Sequence, residues 1–301
     1  MARPKNVLVI ASYVKGQRFM TRLAKHGVKA WLLTREKHLK ADWPRDALVD
    51  VLAVSGDAQV PQVINAVSYL GRTIDFDAIV PMDDYDVELA AALREHLRLP
   101  GMNESTARHF RDKLAMRVRA REAGIRIPDF VHAMNHDRIR DFCRRNPAPW
   151  MLKPRWEASA SGISKLHDEK AVFAKLNEKG DKASFMLLES YVPGDVFHVD
   201  SIIVGGKVLF AEAHKCGKPP FDVAHGGGLY SSVTVKRGSD DETKLRAANE
   251  AVLKAFGHHQ GVSHAEFIKA KDGEFHLLEC AARVGGAHTA ELVEGATGLN
   301  L

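Results

Sequence analysis

Cysteine is scarce in this chain: three in 301 residues, Cys143, Cys216 and Cys280, and none in a C-x-x-C pair. That argues against a structural zinc site and a disulfide framework, and for a reducing compartment. Aromatic residues make up 7%, and no run of them interleaves with basic residues as a single-strand nucleic-acid surface would require. Long apolar runs are also missing. MARPKNVLVIAS is too short for a signal peptide and no segment reads as a membrane span, so a cytoplasmic protein without a membrane partner is expected. The loop after the first apolar run, SYVKGQRF, lacks the G-x-G-x-x-G fingerprint, which removes the argument for a dinucleotide site. Internal repeats and low-complexity tracts are absent as well. The net charge of +5 comes from scattered residues and suits an anionic small ligand as well as a nucleic acid.

What is present is a globular composition, 45% hydrophobic and 27% charged, and a length that suggests two domains or subdomains. Asn6 to Ala11 is a continuous apolar run of the kind found in strands buried on both faces. A helical stretch to about His26, a strand over Val28 to Thr34 and further strands at Ala47 to Val54 and Asp77 to Pro81 imply a parallel, doubly wound sheet. Asp83 and Asp84 follow that last strand. One of them is expected to cap the helix from Val87 to Leu97, and the other is left open to a ligand. After Leu99-Pro100-Gly101, Asn103 to Ala123 reads as one long helix. Strands and helices then alternate, with a Gly/Ser-rich loop at Ala158 to Ser164 and a Pro/Gly-rich loop at Gly217 to Gly228.

Near the C-terminus, His264 to Ala270 and Glu274 to Cys280 flank Lys271-Asp272-Gly273, a hairpin signal. Each run holds one carboxylate that sits badly in an apolar strand, Glu266 in the first and Glu279 in the second, and paired strands can aim the two at one spot. Two such acids repel unless a cation or a shared proton lies between them, and a hard cation such as Mg²⁺ is the natural candidate. A solvated hairpin face is the equal alternative.

The segments DKLAMRVRAREAGIRIP, WMLKPRWEASASGISKL, LLESYVPGDVFHVDS and HAEF…LLECAARVGG, in this order and spacing, resemble the ATP-grasp superfamily. The resemblance covers nearly the whole chain. It implies an α/β and α+β protein: an N-terminal Rossmann-like pre-ATP-grasp domain over 1–105, a small ATP-grasp subdomain with its linker helix over 106–187, and a large subdomain over 188–301. The large subdomain is expected to stop short of the family's usual length. The implied phosphate-binding lysines are Lys113 and Lys153. The loop over the triphosphate corresponds to Ser159, Ala160, Ser161, Gly162 and Ile163, and the adenine hinge to Glu189 through Tyr191 and Val192. Asp195 is the nearest ribose carboxylate, because Val196 stands where many members carry an acid. His198 and Asp200 share a strand face with Val196. Glu266 and Glu279 match the metal-binding acids. The family's E-x-N-x-R reads Glu279-Cys280-Ala281-Ala282-Arg283 here, so Ala281 replaces an Asn ligand, and Arg283 is expected to steady the transferred phosphate.

The activity so implied is an ATP-dependent carboxylate–amine ligase working through an acyl phosphate, with ATP and Mg²⁺ (or Mn²⁺) as cofactors. Its partners would be a small-molecule carboxylate and an amine, amino acids among them, with a homodimer left open and no nucleic acid or membrane involved. A carboxylase acting on bicarbonate and a non-catalytic ATP-binding module are the alternatives.

Overall fold

The computed structural model describes residues 5–158 and 160–301. The chain forms two compact units, one of residues 1–107 with 282–284, the other of residues 108–281 with 285–301.

The first unit opens with β1 (Asn6–Ala11), α1 (Gln17–Lys25), β2 (Lys29–Arg35), β3 (Leu48–Val54), α2 (Val60–Leu70), β4 (Ala78–Pro81) and α3 (Asp84–Leu97). The strands make a parallel sheet in the order β3-β2-β1-β4. Strand side chains alternate between faces, so the unbroken apolar run of β1 serves two cores at once. Leu8 and Ile10 pack with Val63 and Val67 of α2 and Leu89 and Leu93 of α3. Val7, Val9 and Ala11 pack with Met20 and Trp43 on the other side. Asp83 caps α3, its carboxylate accepting from the Tyr85 N–H.

A short helix, α4 (Glu104–Arg108), follows, and then α5 (Lys113–Glu122). The single helix expected over Asn103 to Ala123 is thus two. The break falls at Asp112, which takes extended backbone dihedrals and accepts from Leu114 N–H at 3.0 Å as the N-cap of α5. Next come β5 (Phe130–His132), α6 (His136–Arg145), β6 (Trp150–Pro154), β7 (Ser164–Leu166), α7 (Glu169–Lys179) and β8 (Met186–Ser190). These strands form an antiparallel sheet in the order β5-β8-β6-β7.

The remaining elements are β9 (Asp195–Val204), β10 (Lys207–Cys216), α8 (Pro220–Gly226), β11 (Ser232–Thr234), α9 (Asp240–Phe256), β12 (Gln260–Lys269), β13 (Phe275–Ala281) and α10 (Thr289–Thr297). Their strands build a second antiparallel sheet, β11-β10-β9-β12-β13. Gly205 and Gly206, both at positive φ, make the β9–β10 hairpin, and Gly273 at φ 82° closes the β12–β13 turn. The Pro/Gly-rich segment before β11 holds α8, started by Pro220 in its first turn. Among the described residues no helix is long and apolar enough to cross a membrane.

One buried carboxylate makes the first unit pH-sensitive. Asp86 in α3 is fully buried, and burial, with the nearby Asp83 charge, pushes its carboxyl up to about 6 despite hydrogen bonds from Ser12. The folded state then holds its proton to a higher pH than the unfolded chain, so stability falls as pH rises between about 4 and 6. At about 1.4 kcal/mol per pKa unit the loss is on the order of 2–3 kcal/mol. Asp86→Asn should flatten that slope in urea unfolding at a series of pH values. An unchanged slope would remove Asp86 as its source.

Candidate functional site

Lys113 is the first residue of α5, where a cation opposes the helix dipole. Tertiary partners hold it there: its ammonium donates to Glu157 O at 2.6 Å and to Glu279 Oε1 at 2.9 Å. The backbone is set by Asp112, which caps α5 and also takes the Arg155 guanidinium at 2.8 Å, while Lys113 N–H donates to Arg155 O. One turn further on, Arg117 lies on the same helix face. It is fully buried, donating from Nε to Glu189 Oε1 at 2.6 Å and from Nη2 to Leu278 O at 2.7 Å.

Glu189, in β8, is buried completely and is also bonded through Oε2 to Lys153 Nζ of β6 at 2.6 Å. Burial alone would raise its carboxyl. The Arg117 and Lys153 charges outweigh that and hold it below the usual carboxylate range. Lys113, Lys153 and Glu189 line a cleft of about 150 Å³ with Pro128, Met151, Ile163, Tyr191, Val192 and Val196, and Glu266 and Glu279 stand in the same lining. Its volume is below the roughly 300–1,000 Å³ of open ligand clefts. Pro219 to Asp222, the start of α8, form part of the wall, and His225 of α8 donates to Ile163 O at 3.2 Å.

Glu266 and Glu279 are direct cross-strand partners on β12 and β13, so the two carboxylates leave the same face. The register slips next to them, leaving Leu278 as the bulge residue whose carbonyl Arg117 takes up. Both acids keep about a quarter of their side-chain surface exposed. Two partly exposed carboxylates at one place, beside a lysine, are a donor set suited to a hard divalent cation.

The same sheet face carries a histidine cluster. Across β9 and β12, His264 pairs with Asp200 and Glu266 with His198, and across β9 and β10 His214 pairs with His198. His198 Nδ1 lies 2.7 Å from Asp200 Oδ2 and His264 Nδ1 2.8 Å from Asp200 Oδ1. Burial would raise the Asp200 carboxyl, but His264 and His198 hold it well below its ordinary value. His214, fully buried, is pushed down to about 4 by burial first and by the His198 charge second.

Of the residues expected from sequence, Lys113, Lys153, Ala160, Ile163, Glu189, Tyr191, Val192, Glu266 and Glu279 line the same cleft. Ser161 and Gly162 do not: Ser161 turns back on Ala158, and Gly162 packs against Pro154. Ser159 lies outside the described residues. Asp195 points to the other face of β9 from Val196, is mostly exposed and pairs with Lys215 at 2.6 Å. Arg283 is bonded to Asp84 through Nε at 2.7 Å and also through Nη2, within the first unit. Ala281 is buried as the cross-strand partner of His264. Sequence reasoning passed over Arg117, whose i+4 spacing from Lys113 was the available signal. It also passed over His264, two residues before Glu266 and therefore on its face.

Two antiparallel sheets that share a cleft lined by two lysines and a pair of acids define an ATP-grasp fold. No family model matches the chain. A solved L-amino acid ligase from Bacillus licheniformis has the same fold, with a TM-score of 0.79 and 21% identity over 100% of this chain and 72% of that one. Among curated proteins, the L-arginine-specific L-amino acid ligase of Bacillus subtilis is 23% identical over 225 residues, 73% of this chain and 54% of the relative. Dapdiamide A synthase of Enterobacter agglomerans is 25% identical over 233 residues, with the same two shares. The chain thus spans about half the length of the curated relatives it matches.

Glu189→Gln would leave Arg117 and Lys153 without an anion. Removing one member of a buried ionic set costs about 3–5 kcal/mol, so a marked fall in the urea midpoint is expected. A midpoint shift near zero would show that Glu189 is not what holds the two cations.

Proposed function

We propose that the chain is an ATP-dependent carboxylate–amine ligase, in which ATP phosphorylates a substrate carboxylate and an amine then attacks the acyl phosphate, releasing ADP and phosphate. The observation that carries the reading is the convergence of Lys113, Lys153, Glu266 and Glu279 on one cleft. The relatives named as amino acid ligases and as dapdiamide A synthase favour it over a carboxylase and over a module without turnover, with amino acids as the substrate class. Residues 1–105 are read as the Rossmann-like pre-ATP-grasp domain, 106–187 as the small subdomain and 188–301 as the large one.

In this scheme the apolar walls of Met151, Ile163, Tyr191 and Val196 take the adenine. The Ser190 and Tyr191 N–H groups are bonded to Asp129 O and Pro149 O, which leaves Val192 to meet the base edge. Lys153, oriented by Glu189, and Lys113, oriented by Glu157 O, supply positive charge to the phosphates. Glu266 and Glu279 fit Mg²⁺ through oxygen donors set side by side. When bound there, the ion would neutralise phosphate charge. Lys113 then exchanges its hold on Glu279 for a phosphate, since nucleotide and ion would supply the opposite charges that the pair now supply each other. Arg283 is bonded to Asp84, so the reading places the transfer chemistry on the lysines.

The test is ADP release over a panel of amino acids and small carboxylates with Mg²⁺. A substrate pair that stimulates release is expected, and Glu279→Gln should lower that rate by about 10²-fold or more. ATP binding without turnover across the panel would favour the module, and an unaffected Glu279→Gln rate would remove the acids from the metal site.

A further inference from the structure

The histidine cluster behind Glu266 has no part in that scheme, yet all four of its titratable side chains are buried in the second unit. His198, Asp200, His214 and His264 are 1%, 0%, 0% and 7% exposed. They come from three adjacent strands and, by register, leave one sheet face. One ligand atom from each of His198, Asp200 and His264 lies within 4.8 Å of the other two.

The hydrogen bonds around the cluster fix which ring nitrogens face the carboxylates. Ser232 Oγ donates its single hydrogen to Lys215 O at 3.2 Å, so it can only accept from His198 Nε2 at 2.8 Å. With that proton on Nε2, a neutral His198 turns a bare lone pair on Nδ1 toward Asp200 Oδ2, 2.7 Å away. Nitrogen and carboxylate oxygen then repel unless a proton or a metal ion lies between them. His264 lies between two carboxylates, Nδ1 on Asp200 Oδ1 at 2.8 Å and Nε2 toward Glu266 Oε1 at 3.5 Å. Metal-ligating histidines typically give their second ring nitrogen to such a hydroxyl or carboxylate. His214 supplies a separate observation. It stacks on His198 with ring centroids 4.9 Å apart, and neither of its ring nitrogens has a hydrogen-bond partner. Its Nδ1 stands 3.9 Å from Asp200 Oδ2. A fully buried imidazole without a partner is costly, and a metal within reach of that nitrogen satisfies it.

We propose that His198, Asp200 and His264, with His214 as a fourth donor, bind one divalent transition-metal ion of the Zn²⁺/Co²⁺ class, at a site distinct from the hard-cation pair Glu266 and Glu279. Imidazole nitrogens favour such ions over Mg²⁺, and three nitrogens with one oxygen match zinc coordination. The rarity of cysteine excludes only thiolate zinc sites. This set needs none. The ion would tie β9, β10 and β12 together beside Glu266 and so steady the strand that presents it.

Chelator-treated full-length protein, titrated with CoCl₂ in excess MgCl₂, tests the site without reading ATP turnover, so its outcome is independent of the ligase reading. The expected result is one Co²⁺ per chain with visible ligand-field bands of a four- or five-coordinate nitrogen/oxygen set, displaced by ZnCl₂. His214→Gln should weaken Co²⁺ binding about 10-fold or more, and His198→Gln and Asp200→Asn more strongly. Glu279→Gln should bind Co²⁺ as the parent does. No band in the folded parent protein, the same band in His198→Gln, or loss of the band in Glu279→Gln would each overturn the proposal. The parent titration decides even if Asp200→Asn fails to fold.

Discussion

The Glu189 carboxylate is buried in the second unit, fully out of water, with one oxygen on Arg117 and the other on Lys153. A buried anion of this kind persists only when cations approach it closely, and those cations come from α5 and β6. Arg117 carries the constraint further, to the carbonyl of Leu278 at the bulge of β13. One carboxylate therefore locates a helix and both antiparallel sheets relative to each other. The cleft residues lie on the elements so held.

Asp200 plays the same part in the other sheet with weaker partners. Its two oxygens face imidazoles rather than fixed cations, and the neighbouring His214 nitrogens find nothing to bond. Glu266 stands beside this cluster and Glu279 faces Lys113, so each acid of the pair has a positively charged or protonatable neighbour. The bulge next to them bends the hairpin and turns both carboxylates toward the cleft.

Much of this was legible in the chain. The unbroken apolar run of β1, the Gly-Gly and Asp-Gly turns and the lone carboxylates in two apolar runs are local signals, and they became β1, the two hairpins and the paired acids. The motif order singled out Lys113 and Lys153, although nothing near Lys113 in sequence says that it is buried. The differences between sequence and structure were also local in origin. Asn103 to Ala123 has helical composition throughout, but Asp112 is held by Arg155, 43 residues away, and breaks it. Asp195 and Val196 differ by one position, which on a strand is the difference between solvent and cleft. Arg283 follows Glu279 closely in sequence yet is bonded to Asp84, 199 residues earlier.

By itself the sequence determined the alternation of elements, the positions of the turns and the identity of the charged groups, because periodicity and turn chemistry act over a few residues. Which charges are buried together was decided only by the tertiary structure. Arg117 with Glu189, Lys113 with Glu279, and His198 and His264 around Asp200 join positions 72, 166, 2 and 64 residues apart. The cost of burying an ion depends on what lies within a few ångströms in space, and chain separation does not report it.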